Sequence, residues 1–91
     1  MKVKHEEWKG KKDLIMDLLK KANLDNIDNA NEKKIIMREI VICKYLEYMT
    51  VEETIARVMI EYNIELTKSK YYRIYNEVMT VLENIIQSYE N

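Results

Sequence analysis

Residues 50–78 read "TVEETIARVMIEYNIELTKSKYYRIYNEV", and the fold turns on how this stretch divides. Thr50-Val51-Glu52-Glu53 has the S/T-x-x-E form of a capping box. In such a box the threonine oxygen accepts from the Glu53 amide while the Glu53 carboxylate returns to the cap. A helix is therefore predicted from Val51, with an inner stripe of Val51, Ile55, Val58, Met59 and Tyr62 and with Glu52, Glu53, Arg57 and Glu61 outside. Asn63 tolerates left-handed backbone and ends it, and Ile64 and Leu66 tuck the connection inward. Thr67 then caps a last helix whose stripe, Tyr71, Ile74, Tyr75, Val78, Leu82, Ile85 and Tyr89, keeps to one side.

Outward from this stretch the same periodicity continues. Residues 32–49, "EKKIIMREIVICKYLEYM", carry apolar side chains almost all round a helical wheel, which predicts a central helix touched on several sides. The preceding "NLDNIDNAN", Asn23 to Asn31, is rich in residues that bond their own backbone, and reads as a loop ending in an N-cap at Asn31. Before it, Leu14, Ile15, Leu18, Leu19 and Ala22 share one helical face, which Trp8 extends if the helix starts early; Gly10 opposes an early start. With one Gly and no Pro, little interrupts helices or supplies the tight turns that sheets need. The expected fold is all-α, a compact bundle of about four helices in a single domain, residues 1–91.

Net charge is −1, which excludes a chain coated in positive charge. The distribution is uneven: residues 1–44 hold eleven Lys/Arg against eight Asp/Glu, and residues 45–91 hold four against eight. The basic run Lys68, Lys70, Arg73 is an island in the acidic half. Lysines 2, 4, 9, 11 and 12 offer a second, N-terminal basic arm. Cys43 is alone in an apolar run and reads as a small buried hydrophobe in a reducing compartment. The start "MKVKHEEWKGKK" has no apolar core of a signal peptide, and no apolar run reaches 18 residues, so a cytoplasmic protein with no membrane partner is expected. Ile, Lys, Asn and Tyr make up 39 of the 91 residues, the bias of an AT-rich genome. With His5 as the one histidine and no Gly-rich phosphate loop, neither a metal site, a cofactor nor a catalytic triad can be assembled, and no enzyme is expected.

A capped helix, a short connection and a second helix led by Thr, Lys and Ser form a candidate helix-turn-helix over residues 50–80. Ala56 permits close approach of the two helices, and Ile55, Met59, Leu66, Tyr71 and Ile74 form the inner seam. With Tyr71 and Ile74 inward, Ser69, Tyr72, Arg73 and Asn76 project from the opposite side or its flank. "YLEYMTVEETIARVM" followed by "LTKSKYYRIYNEVMTVLENI" resembles the C-terminal module of the ArpU-type phage transcriptional regulators, and more distantly the promoter-reading helix-turn-helix of sigma factors. The resemblance covers about half the chain. It implies a DNA-binding regulator in which Lys68, Ser69, Lys70, Tyr72 and Arg73 face double-stranded DNA, with Asn76 at the edge of that set. It departs in the turn, where "IEYNIE" stands between Met59 and Leu66.

One such helix contacts few bases, so a homodimer is expected, with Leu82, Ile85, Ile86 and Tyr89 at the end of the last helix (80–91) as its interface. The alternative is a helical protein-binding module, such as a phage-encoded inhibitor of a host or defence protein of the anti-CRISPR kind. Its motivation is Glu47, Glu52, Glu53, Glu61 and Glu65, which suit a basic protein surface better than phosphate. Residues 1–30 contribute the basic N-terminal helix and loop.

Overall fold

Each N-cap read from the sequence makes its bond. Asn31 accepts from the Lys34 amide at 2.8 Å, Thr50 and Glu53 close both bonds of the capping box, and Thr67 accepts from the Lys70 amide at 3.2 Å. In the computed structural model, which describes residues 5–26 and 31–90, these caps open three of the four α-helices. The helices are α1 (Lys12–Lys21), α2 (Glu32–Tyr45), α3 (Val51–Tyr62) and α4 (Lys68–Glu90), preceded by a 3₁₀ turn at His5–Trp8. No strand occurs among the described residues, and the chain is an all-α bundle. Lys2, Lys4 and loop positions 27–30 lie outside the described residues.

The helices stop for local reasons. α1 ends at Lys21, just before Asn23, whose φ of 61° is left-handed; the Leu24 amide reaches back to the Leu19 carbonyl and the Asn23 amide to that of Lys20. This is the double bond of a Schellman ending, with Leu24 and Leu19 both buried beneath it. Arg38 of α2 holds the same corner by donating to the carbonyls of Leu24 and Asp25. α2 ends at Tyr45, four residues before the expected limit, because Tyr48 turns to a φ of 55°. α3 ends where expected, at left-handed Asn63 (φ 54°), and the link to α4 is pinned by buried Ile64 and Leu66.

α2 is central and touches α1, α3 and α4. Ile36, Ile40, Val41 and Tyr45 of α2 meet Ile15, Leu18 and Leu19 of α1, Val58 of α3, and Tyr71, Ile74, Val78 and Leu82 of α4 in one core. Trp8 joins it from the 3₁₀ turn and not as an extension of α1; its ring packs 5.4 Å from that of Tyr45. Gly10 makes this possible, with a φ of +75° and an amide donating to the Tyr45 carbonyl at 2.8 Å.

Of the stripe predicted for α3, Val58 is in the core and Val51, Ile55 and Tyr62 pack against it, but Met59 does not. Met59 is 44% exposed and Ala56 is also outside, while Thr54 occupies the inner position at 1%. The Thr54 hydroxyl donates to the Thr50 carbonyl at 2.9 Å, so its polar group is satisfied inside its own helix and can be buried. Arg57, expected outside, is only a quarter exposed and sits among Glu39, Glu47 and Glu61. Glu39 is 3% exposed; its Oε1 lies 3.2 Å from Arg57 Nε without accepting a well-aligned hydrogen bond. Burial holds the Glu39 carboxyl above the ordinary carboxylate range, and the nearby guanidinium limits that rise.

Candidate nucleic-acid interface

The first three turns of α4 have two different sides. Tyr71, Ile74 and Val78 are buried and anchor the helix, with Tyr75 half-buried beside them. At about 100° per residue this leaves an outward arc centred on Ser69, Tyr72 and Asn76, with Lys68 and Arg73 on its two margins. All five are exposed. Tyr72 is exposed and stands edge-on to Tyr71, ring centroids 5.2 Å apart. Asn76 borders a shallow groove formed with Met37, Glu77, Thr80 and Val81. Lys70, grouped with them in the sequence, belongs to the flank facing α2 and is half-buried.

The charges of this end are paired across elements distant in sequence. Lys68 Nζ lies 2.9 Å from Glu52 of α3, Lys70 Nζ lies 3.1 Å from Glu32 of α2, and Lys33 of α2 pairs with Glu77 of α4. The bond from Lys68 holds the Glu52 carboxyl below its usual range and raises the Lys68 ammonium in turn. Arg73 has no carboxylate within 4.0 Å among the described residues. The acidic residues expected to surround the island divide differently: Glu47 and Glu61 serve Arg57 and Glu53 serves its cap, while Glu32 and Glu77 border the basic residues. Sequence reasoning missed Glu32, Lys33 and Glu77. A signal was present, since Glu32 and Lys33 open α2 directly after its cap and Glu77 lies one turn beyond Arg73.

The residues expected at a dimer contact are placed unevenly. Leu82 is fully buried in the core of its own chain, where it has no surface to offer a second copy. Ile85 and Ile86 are half-buried against that core. Tyr89 is 45% exposed; its hydroxyl donates to Asp17 of α1 at 2.9 Å and Lys21 lies over its ring at 4.2 Å. Tyr89 thus fastens the far end of α4 to α1. Cys43 is buried, and its thiol is pushed up to about 11, chiefly by that burial. Among the described residues no group of three His, Cys, Asp or Glu side chains is placed to hold a metal ion, and no helix is long and apolar enough to cross a membrane. No protein-family model, curated protein or solved structure matches the chain.

Proposed function

We propose that this protein is a phage-type DNA-binding transcriptional regulator that presents the outer face of the first turns of α4 to the major groove. α3 packs behind it as the supporting helix of a helix-turn-helix. The observation that carries this reading is the exposed arc of Lys68, Ser69, Tyr72, Arg73 and Asn76 on a helix whose opposite side is buried. Such an arc combines phosphate-binding cations with amide and hydroxyl groups able to bond base edges, in the proportions a groove-reading helix needs. The resemblance to ArpU-type regulators points the same way. Arg73 has the largest expected role, since among the described residues no carboxylate lies within 4.0 Å of it.

In fluorescence anisotropy with a random duplex at low salt, the folded chain should bind, and affinity should fall steeply as salt rises. Arg73→Ala should weaken binding about ten-fold and reduce the salt slope by about one. Absence of binding by folded protein at low salt would overturn the proposal. Two copies acting together belong to the same reading, because one arc spans too few base pairs for useful specificity. Sedimentation of the duplex complex should then report two 11.0 kDa chains per site; a one-to-one complex on a saturating site would rule this out.

A second reading is favoured by one observation. The outer face of α3 exposes Met59 at 44% and Ile60 at 82%, with exposed Ala56 one turn before them and exposed Glu61 directly after. An exposed apolar pair on a helix that also exposes Glu52, Glu53 and Glu61 suits a basic protein partner better than a phosphate backbone. The anisotropy titration separates the readings, because this one predicts no duplex binding and no effect of Arg73→Ala on capture of a protein partner.

A further inference from the structure

Beside the outward arc, the flank of α4 and the first turn of α2 enclose a cleft of about 420 Å³. It is lined by Glu32, Lys33, Lys70, Arg73, Ile74 and Glu77. Its apolar floor is Ile74, 3% exposed, which the core holds in place. Half of its lining side chains are cationic, and they come from both helices: Lys33 from α2, Lys70 and Arg73 from α4. Two of the three cations are paired inside the cleft, Lys70 with Glu32 and Lys33 with Glu77.

A helix lying in a major groove has phosphate backbone on both of its flanks, because the groove is only about 12 Å wide. The cleft occupies one such flank, next to Arg73 and a quarter-turn or so away from the base-facing centre of the arc. We infer that the cleft is a seat for a backbone phosphodiester, self-occupied in the free chain by Glu32 and Glu77. A phosphate entering it takes over Lys33 and Lys70 and sends the two carboxylates back to water. Both can leave: the Glu32 and Glu77 side chains are 54% and 42% exposed. Ion pairs this exposed are weak, so the exchange meets little resistance.

The local arithmetic gives the device a purpose. Lys33, Lys68, Lys70 and Arg73 face Glu32, Glu52 and Glu77, four charges against three, which leaves this end only weakly positive. A duplex that positions a phosphate in the cleft recovers the attraction of Lys33 and Lys70 beside that of Arg73, while one that only approaches the surface does not. The carboxylates therefore act as internal competitors that suppress nonspecific binding.

This inference rests on the DNA-binding reading, and one set of anisotropy titrations on the full chain, with a random duplex over a salt series, tests the two separately. Glu77→Gln should tighten binding about three-fold or more and steepen the salt slope by about one, the increment of one further phosphate contact. Lys33→Ala should weaken binding and flatten the slope by about one. Asp13→Asn on the exposed start of α1 changes net charge equally but lies outside the cleft, and should do neither. If the wild type binds and Arg73→Ala weakens it, while Glu77→Gln and Lys33→Ala behave like Asp13→Asn, the cleft assignment is overturned and the DNA-binding reading stands. If no variant binds duplex at low salt, both fall together.

Discussion

Tyr45→Ala is expected to lower stability by about 4 kcal/mol, in the range measured for removing a large aromatic side chain from a core. Tyr45 is the largest fully buried side chain among the described residues. Its ring packs on Trp8, its hydroxyl lies 3.4 Å from the Met79 sulfur, and it ends the central helix, so three segments of chain meet on it. The cavity left by alanine would open between them with no side chain long enough to close it. Trp8 would be freed as well, which supplies a direct optical readout. Denaturant titration followed by tryptophan fluorescence should show the loss, together with a red-shifted native-state emission. For a domain of this size the melting temperature should drop by tens of degrees. Tyr45→Phe keeps the ring and should cost less than about 1.5 kcal/mol. A loss of under about 1 kcal/mol in the alanine variant would mean that Tyr45 does not hold the core together.

Arg57→Met should cost about 3 kcal/mol near pH 8, the lower end of the range for breaking a buried ion pair, because Arg57 is a quarter exposed. The loss comes from Glu39, which is left in a nearly dry site without its counter-charge. Its direction with pH follows from the carboxyl's position above its ordinary value of 4.5. A folded-state pKa raised above the unfolded one gives a contribution that is fully present below 4.5 and is lost as pH rises through the folded value. Removing Arg57 raises the folded value further, so the variant should approach wild-type stability near pH 5 and diverge from it toward pH 8. Adding Glu39→Gln should remove most of this pH dependence. Equal destabilisation at both pH values would show that the charge on Glu39 is not its source. Glu47 and Glu61 are better solvated and contribute less to the effect.

What could be read in advance depended on how far apart the interacting residues are. Caps at Asn31, Thr50 and Thr67 and the stop at Asn63 involve groups within a few residues of one another, and they stand where the spacing places them. The long stripe of α4 was legible for the same reason. Met59 was placed inward, and Thr54 on neither side, because apolar character alone ranks methionine inward; what admits Thr54 is that it satisfies its hydroxyl on the Thr50 carbonyl. A threonine at this spacing from its own cap is a usable signal. Trp8 depends on a glycine with positive φ bonded to Tyr45, a tertiary contact that helical periodicity cannot reveal. At the candidate interface the exposed arc was legible, but its counter-charges were not. Lys70 and Glu32 are 38 residues apart, and only the packing of α4 on α2 brings them together.

One feature of α4 bears on how the molecule could respond to a ligand. The helix is unbroken over 23 residues, about 34 Å at about 1.5 Å per residue, nearly the full 40 Å length of the protein. It contains neither Pro nor Gly, so it has no built-in place to bend. Its first turns carry the outward arc and its last turn is fastened to α1 through Tyr89 and Asp17. The two ends therefore belong to one continuous helical rod. A tilt imposed at the arc would have to appear, magnified by the length of the rod, as strain on the Tyr89 fastening at the opposite pole of the molecule.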